Sequence, residues 1–109
     1  MYTEKHAENT LRSFYKEIVS EAVIVKMASH FFYRFLWEDS SPFEVEGWNR
    51  WNQELSLKVF SRNMGIVTVN VRPYCSGLHM ESLYVRSDGS QFSTPSLIVT
   101  EGGSYHVSW

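Results

Sequence analysis

The hydrophobic pattern of this 109-residue chain changes period halfway along, and that change limits the folds open to it. From Thr10 to about Leu55 apolar residues recur at helical spacing, and from Leu57 to Trp109 they alternate. Turn signals at Ser87-Asp88-Gly89-Ser90 and Glu101-Gly102-Gly103-Ser104 punctuate the second half. Helices first and strands after predict an α+β fold, with N-terminal helices packed on a curved C-terminal antiparallel sheet of four or five strands in a meander. The length predicts a single domain spanning residues 1–109.

Leu11, Phe14, Tyr15, Ile18, Val19 and Ala22 form one apolar stripe of a first helix. The stripe changes phase after Ser20-Glu21, which implies a bend or two consecutive helices. The second line, Val23, Met27, Phe31 and Phe35, is joined by Ile24, Ala28, Phe32 and Leu36, so this segment is apolar on more than one side and more deeply covered. Ser41-Pro42-Phe43-Glu44 has the form of a capping box and predicts a short helix from Pro42 to about Gln53. Trp48, Trp51 and Leu55 would share a face of that helix, and Gly47 would admit a close backbone neighbour.

Strand signals follow. Leu55, Leu57 and Val59 alternate with Ser56, Lys58 and Phe60 up to the turn at Arg62-Asn63-Met64-Gly65, and Val67, Val69 and Val71 share a face of a strand expected to stop at Pro73. Ser76-Gly77 and Asp88-Gly89 mark turns, and Pro95 implies an edge or bulge between Gln91 and Thr100.

The net charge of −2 gives no footprint for nucleic acid. It is unevenly placed: Glu38, Asp39, Glu44, Glu46 and Glu54 stand against Arg50 alone between residues 38 and 55. Such a stretch either faces a basic partner or forms a solvated surface. Cys75 is the only cysteine, the N-terminal residues are polar, and no apolar run approaches a membrane span. A soluble protein of the cytoplasm, without contact to membrane or nucleic acid, is the resulting expectation.

His6, His30, His79 and His106 show no ligand spacing, so neither a metal nor another cofactor is expected. Aromatic residues make up 16% of the chain, and such rings either fill a small core or line a contact surface.

Three stretches together resemble the nuclear transport factor two-like superfamily. Leu11 to Ile18 is similar to its first helix, Phe43 to Trp51 to the helix before its long strands, and Leu97-Ile98-Val99-Thr100-Glu101-Gly102-Gly103-Ser104-Tyr105-His106-Val107 to its final hairpin. The resemblance implies helices closing the wide end of a cone-shaped sheet, and a function that is either enzymatic or non-catalytic binding as a dimer. An enzyme of that kind would be an isomerase, dehydratase or cyclase with a desolvated carboxylate or histidine in an apolar pocket. Tyr15, His30, Asp39, His79, Glu81 and Tyr84 are its candidates. A binding domain of the inhibitor, immunity or adaptor type would use Glu38, Asp39, Glu44, Glu46, Trp48 and Trp51 against a protein partner, a basic one if the acidic stretch makes the contact, and would form a homodimer through its sheet. The binding reading leads.

Overall fold

The computed structural model describes residues 3–37, 41–62 and 65–107. Helix α1 spans Glu4–Tyr15. Thr3 starts it: the His6 amide donates to the Thr3 hydroxyl, and the Thr3 amide donates to the His6 ring, so two otherwise orphaned donors are satisfied. Ala7, Leu11 and Tyr15, four residues apart, turn inward. The change of phase after Ser20 marks a second helix. Ser20 caps α2, Glu21–Phe31, and the Arg12 guanidinium of α1 bonds the Glu21 carboxylate across the junction at 3.0 and 3.2 Å. Val23, Ile24, Met27, Ala28 and Phe31 are all buried, the deeper cover expected of this segment.

The helix does not stop at Phe31. It widens into a π-helical turn, Phe32–Leu36, in which the Trp37 amide bonds the Phe32 carbonyl five residues back, and Ser41 does the same to Leu36.

From Ser41 onward the expected helix is overturned. Phe43–Asn49 is strand β1, and the Pro42 carbonyl accepts from the Phe60 amide instead of opening a helix. The capping signal is a local preference of about 1 kcal/mol. Against it stands a full antiparallel ladder to β2, Glu54–Ser61, which places Phe43 opposite Val59 and lets the Phe43 ring meet Phe31 edge-on at 5.2 Å. Gly47 also differs from expectation: a Cβ there would meet nothing within 4 Å.

The remaining strands are β3 Gly65–Tyr74, β4 Gly77–Val85, β5 Gln91–Ser93, β6 Ser96–Thr100 and β7 Gly103–Val107. All pairings are antiparallel, in the order β1-β2-β3-β4-β6-β7, with β5 also on β4. The sheet thus has seven strands where four or five were expected, because a strand forms before the meander and Thr94-Pro95 divides the Gln91–Thr100 segment. The first piece pairs with the far half of β4 and the second with its near half.

Strand β3 also runs through Pro73, against expectation. Its ladder to β2 goes no further than Val71, and the two-residue turn joining Tyr74 to Gly77 leaves Pro73 and Leu78 as a pair that needs no amide from Pro73.

One sheet face carries Leu55, Leu57, Val59, Val67, Val69, Val71, Leu78, Met80, Leu97 and Val99, all buried under the helices. The core therefore lies between two layers, one helical and one β. The other face has no layer over it among the described residues, and Phe60, Ile66, Leu83 and Val85 are exposed there. Among the described residues no helix is long and apolar enough to cross a membrane.

Candidate functional site

The β1–β2 hairpin carries the feature that most needs a functional account. Its tip, Arg50-Trp51-Asn52-Gln53, joins the paired Asn49 and Glu54. Two asparagine side chains order the tip, with the Trp51 amide donating to Asn49 Oδ1 at 2.9 Å and the Glu54 amide to Asn52 Oδ1 at 3.1 Å. Gln53 holds a positive φ of +57°, a conformation a side chain other than glycine adopts only when its surroundings impose it.

What imposes it comes from α1. Tyr15 is fully buried, and its hydroxyl lies 2.8 Å from both the Gln53 and Val71 carbonyl oxygens, sharing its one hydrogen between them. Desolvation holds the phenol's pKa well above its ordinary value, so Tyr15 stays a neutral donor. Trp48 packs beside it, 5.5 Å from the Tyr15 ring and 4.9 Å from Phe14.

Held from both sides, the tip nevertheless leaves Trp51 98% exposed. An isolated exposed hydrophobe is ordinary, but a fully solvated tryptophan on a backbone fixed by hydrogen bonds from Tyr15, Asn49 and Asn52 is order without local burial to justify it. Beside the ring lies an open groove of about 530 Å³, lined by Gly47, Asn49, Arg50, Trp51, Glu54 and Ser56 among others. Glu44 and Glu46 are exposed along the same strand, with Glu46 4.0 Å from Lys58, and a register shift at Glu46 interrupts the sheet edge.

Of the residues singled out from the sequence, Glu44, Glu46, Trp48 and Trp51 fall on this one hairpin, while Glu38 and Asp39 lie outside the described residues. Trp48 is half-buried against the helices, so Trp51 alone of the two presents a free ring.

The candidate pocket residues are not brought together. Tyr15 and Tyr84 point to the helix side of the sheet, and Tyr84 stacks on Phe92 at 5.9 Å. His79 and Glu81 are on the opposite face, where they stand across from Arg72 and Asn70. His30 belongs to α2, its Nε2 3.1 Å from the Ser104 hydroxyl. His79 is only 4% exposed and its Nδ1 has no hydrogen-bond partner; burial, with Arg72 nearby, lowers its pKa. Among the described residues no three His, Cys, Asp or Glu side chains gather to hold a metal. Cys75 is exposed, in the tight turn after β3.

One surface was not foreseen. Tyr33 is 55% and Trp37 60% exposed, their rings 5.7 Å apart and both in contact with Phe32. The helical period does carry the signal: Tyr33 and Trp37 are four apart and off the buried line of Phe31 and Phe35.

In comparisons with protein-family models, with curated proteins and with solved structures, the chain matches none.

Proposed function

We propose that this chain is a non-catalytic binding domain that acts through protein–protein contact, with the β1–β2 hairpin as its contact surface. The observation that carries this reading is Trp51, fully solvated on a tip fixed by Tyr15, Asn49 and Asn52. A pre-ordered aromatic anchor loses little entropy on docking, and residues of this type supply about 2 kcal/mol or more when buried at an interface centre. Glu44, Glu46 and Glu54 around it favour a partner with a basic rim, which would gain in association rate and specificity.

A second copy of the chain fits the open sheet face. There Phe60 stands opposite Ile66 and Thr68 opposite Leu83, so apolar side chains gather at one corner. Glu44 and Glu81 balance Lys58 and Arg72 on the same face, and two copies would meet without net repulsion. A dimeric binding domain of the nuclear transport factor two-like kind, working in the cytoplasm as an inhibitor, immunity protein or adaptor, is consistent with this arrangement. One of the three stretches behind that resemblance, Phe43 to Trp51, is a strand and hairpin instead of a helix.

The rival reading, an isomerase, dehydratase or cyclase on a small hydrophobic substrate, loses support from the placement of its candidates. The sheet itself separates Tyr15 and Tyr84 from His79 and Glu81, so these four do not line one pocket.

The test is affinity capture from the native host with the wild-type chain and Trp51→Ala. An exposed substitution of this kind leaves stability within about 0.5 kcal/mol. The variant is expected to fold normally and to lose its specific partner, whereas equal recovery of every partner would remove the hairpin as the contact surface.

A further inference from the structure

A second groove, of about 450 Å³, lies where the end of α2 and the π-helical turn meet β6, lined by Ser29, His30, Tyr33, Arg34 and Leu97. Its volume is within the range of small-molecule sites. Arg34 is half-buried in its wall, and its guanidinium carbon lies 5.7 Å from the neighbouring Phe35 ring. Among the described residues Arg12 and Lys58 pair with carboxylates, and Arg34 is seen with none.

A partly desolvated guanidinium normally holds a carboxylate or several acceptors, since burial without them costs stability. Desolvation indeed lowers the Arg34 pKa, and only the field of Tyr84 opposes it. A cation at a helix C-terminus is favoured by the helix dipole. That effect accounts for the sign of the residue; among the described residues no protein acceptor meets its N–H donors, and none of those donors is cut off from solvent.

We propose that this groove is an anion-binding site for a small carboxylate or phosphate carried on a flat apolar body. Arg34 receives the oxyanion through its planar fork and the Ser29 hydroxyl adds a donor. Lys26, about two turns earlier on α2, adds a second positive charge on the same helical segment. Tyr33, with Trp37 behind it, forms the wall against which the apolar body lies. The π-helical turn follows the end of α2 here and carries Tyr33 and Arg34 into the same groove, a distortion frequently found at binding sites.

The experiment is a nuclear magnetic resonance titration of the full chain with phenyl phosphate, benzoate and neutral benzyl alcohol. Saturable shifts are expected at Ser29, His30, Tyr33 and Arg34 with one or both anions and not with the alcohol. The comparison of the two anions decides between phosphate and carboxylate. Arg34→Met should weaken binding tenfold or more, and Arg34→Lys, which keeps the charge and loses the fork, should fall between. In the absence of ligand, Arg34→Met should melt at the wild-type temperature or above it. The proposal is overturned by any of three results: no saturable shift, equal affinity in Arg34→Met, or shifts spread equally over Arg12 and Lys58. A marked loss of melting temperature in both Arg34 variants would also overturn it, by showing that the guanidinium is already satisfied within the fold.

Discussion

Replacing Tyr15 with Phe isolates the hydroxyl that joins the helical layer to the β1–β2 hairpin. The ring stays, so its packing against Trp48 and the rest of the core is preserved. What disappears is one donor shared by the carbonyls of Gln53 and Val71, each 2.8 Å away. A buried hydrogen bond contributes about 1 kcal/mol net, and a carbonyl left without a donor costs a further 1–3 kcal/mol or so, which sets an expected loss of about 2 kcal/mol. For a chain of this length the unfolding entropy is roughly 0.23 kcal/mol/K, so Tm should fall by about 9 °C. Amide hydrogen exchange should rise at Gln53 and Leu55, because the positive φ at Gln53 is no longer held from α1. Partner capture through Trp51 should weaken along with it. A Tm within about 2 °C of wild type, with exchange at Gln53 unchanged, would refute the claim that Tyr15 orders the tip.

Two further perturbations test other parts of the structure. A Cβ on Gly77 would lie 2.0 Å from the Val99 carbonyl oxygen, so Gly77→Ala should force β4 and β6 apart and cost about 3 kcal/mol or more, read as the shift in urea midpoint. The folded-state pKa of His79 is depressed, so below its ordinary value near 6.5 the unfolded chain binds the proton more readily than the folded one. Stability should therefore drop as pH falls through that value, and His79→Leu should flatten the drop; urea midpoints at pH 7.5 and 5.5 that differ equally in both proteins would count against it.

The change of period is the part of the fold most plainly legible in the chain, and it is legible because apolar spacing records which face of each element meets the core. Leu11 and Tyr15, then Met27 and Phe31, fall on the buried sides of α1 and α2, and the alternating residues of β2 and β3 all turn inward. Ser76-Gly77, Asp88-Gly89 and Gly102-Gly103 mark turns because the backbone conformation there is set within a few residues.

Residues 42–53 were beyond that kind of reading. Ser41-Pro42-Phe43-Glu44 favours a helix locally, but the energy that decides it comes from β2, at least ten residues further on in the chain, and from Phe31 on another element. The consequence reaches the candidate site. As a helix, the segment would have placed Trp48 and Trp51 side by side; as a strand and tip, it buries one against Phe14 and leaves the other in solvent. Local spacing thus determined the two layers and most of their turns, because those depend on near neighbours. Which tryptophan is free, and that Arg34 stands in a groove where no carboxylate of the described residues pairs with it, were decided only when distant segments met, because pairing and desolvation are properties of the assembled layers.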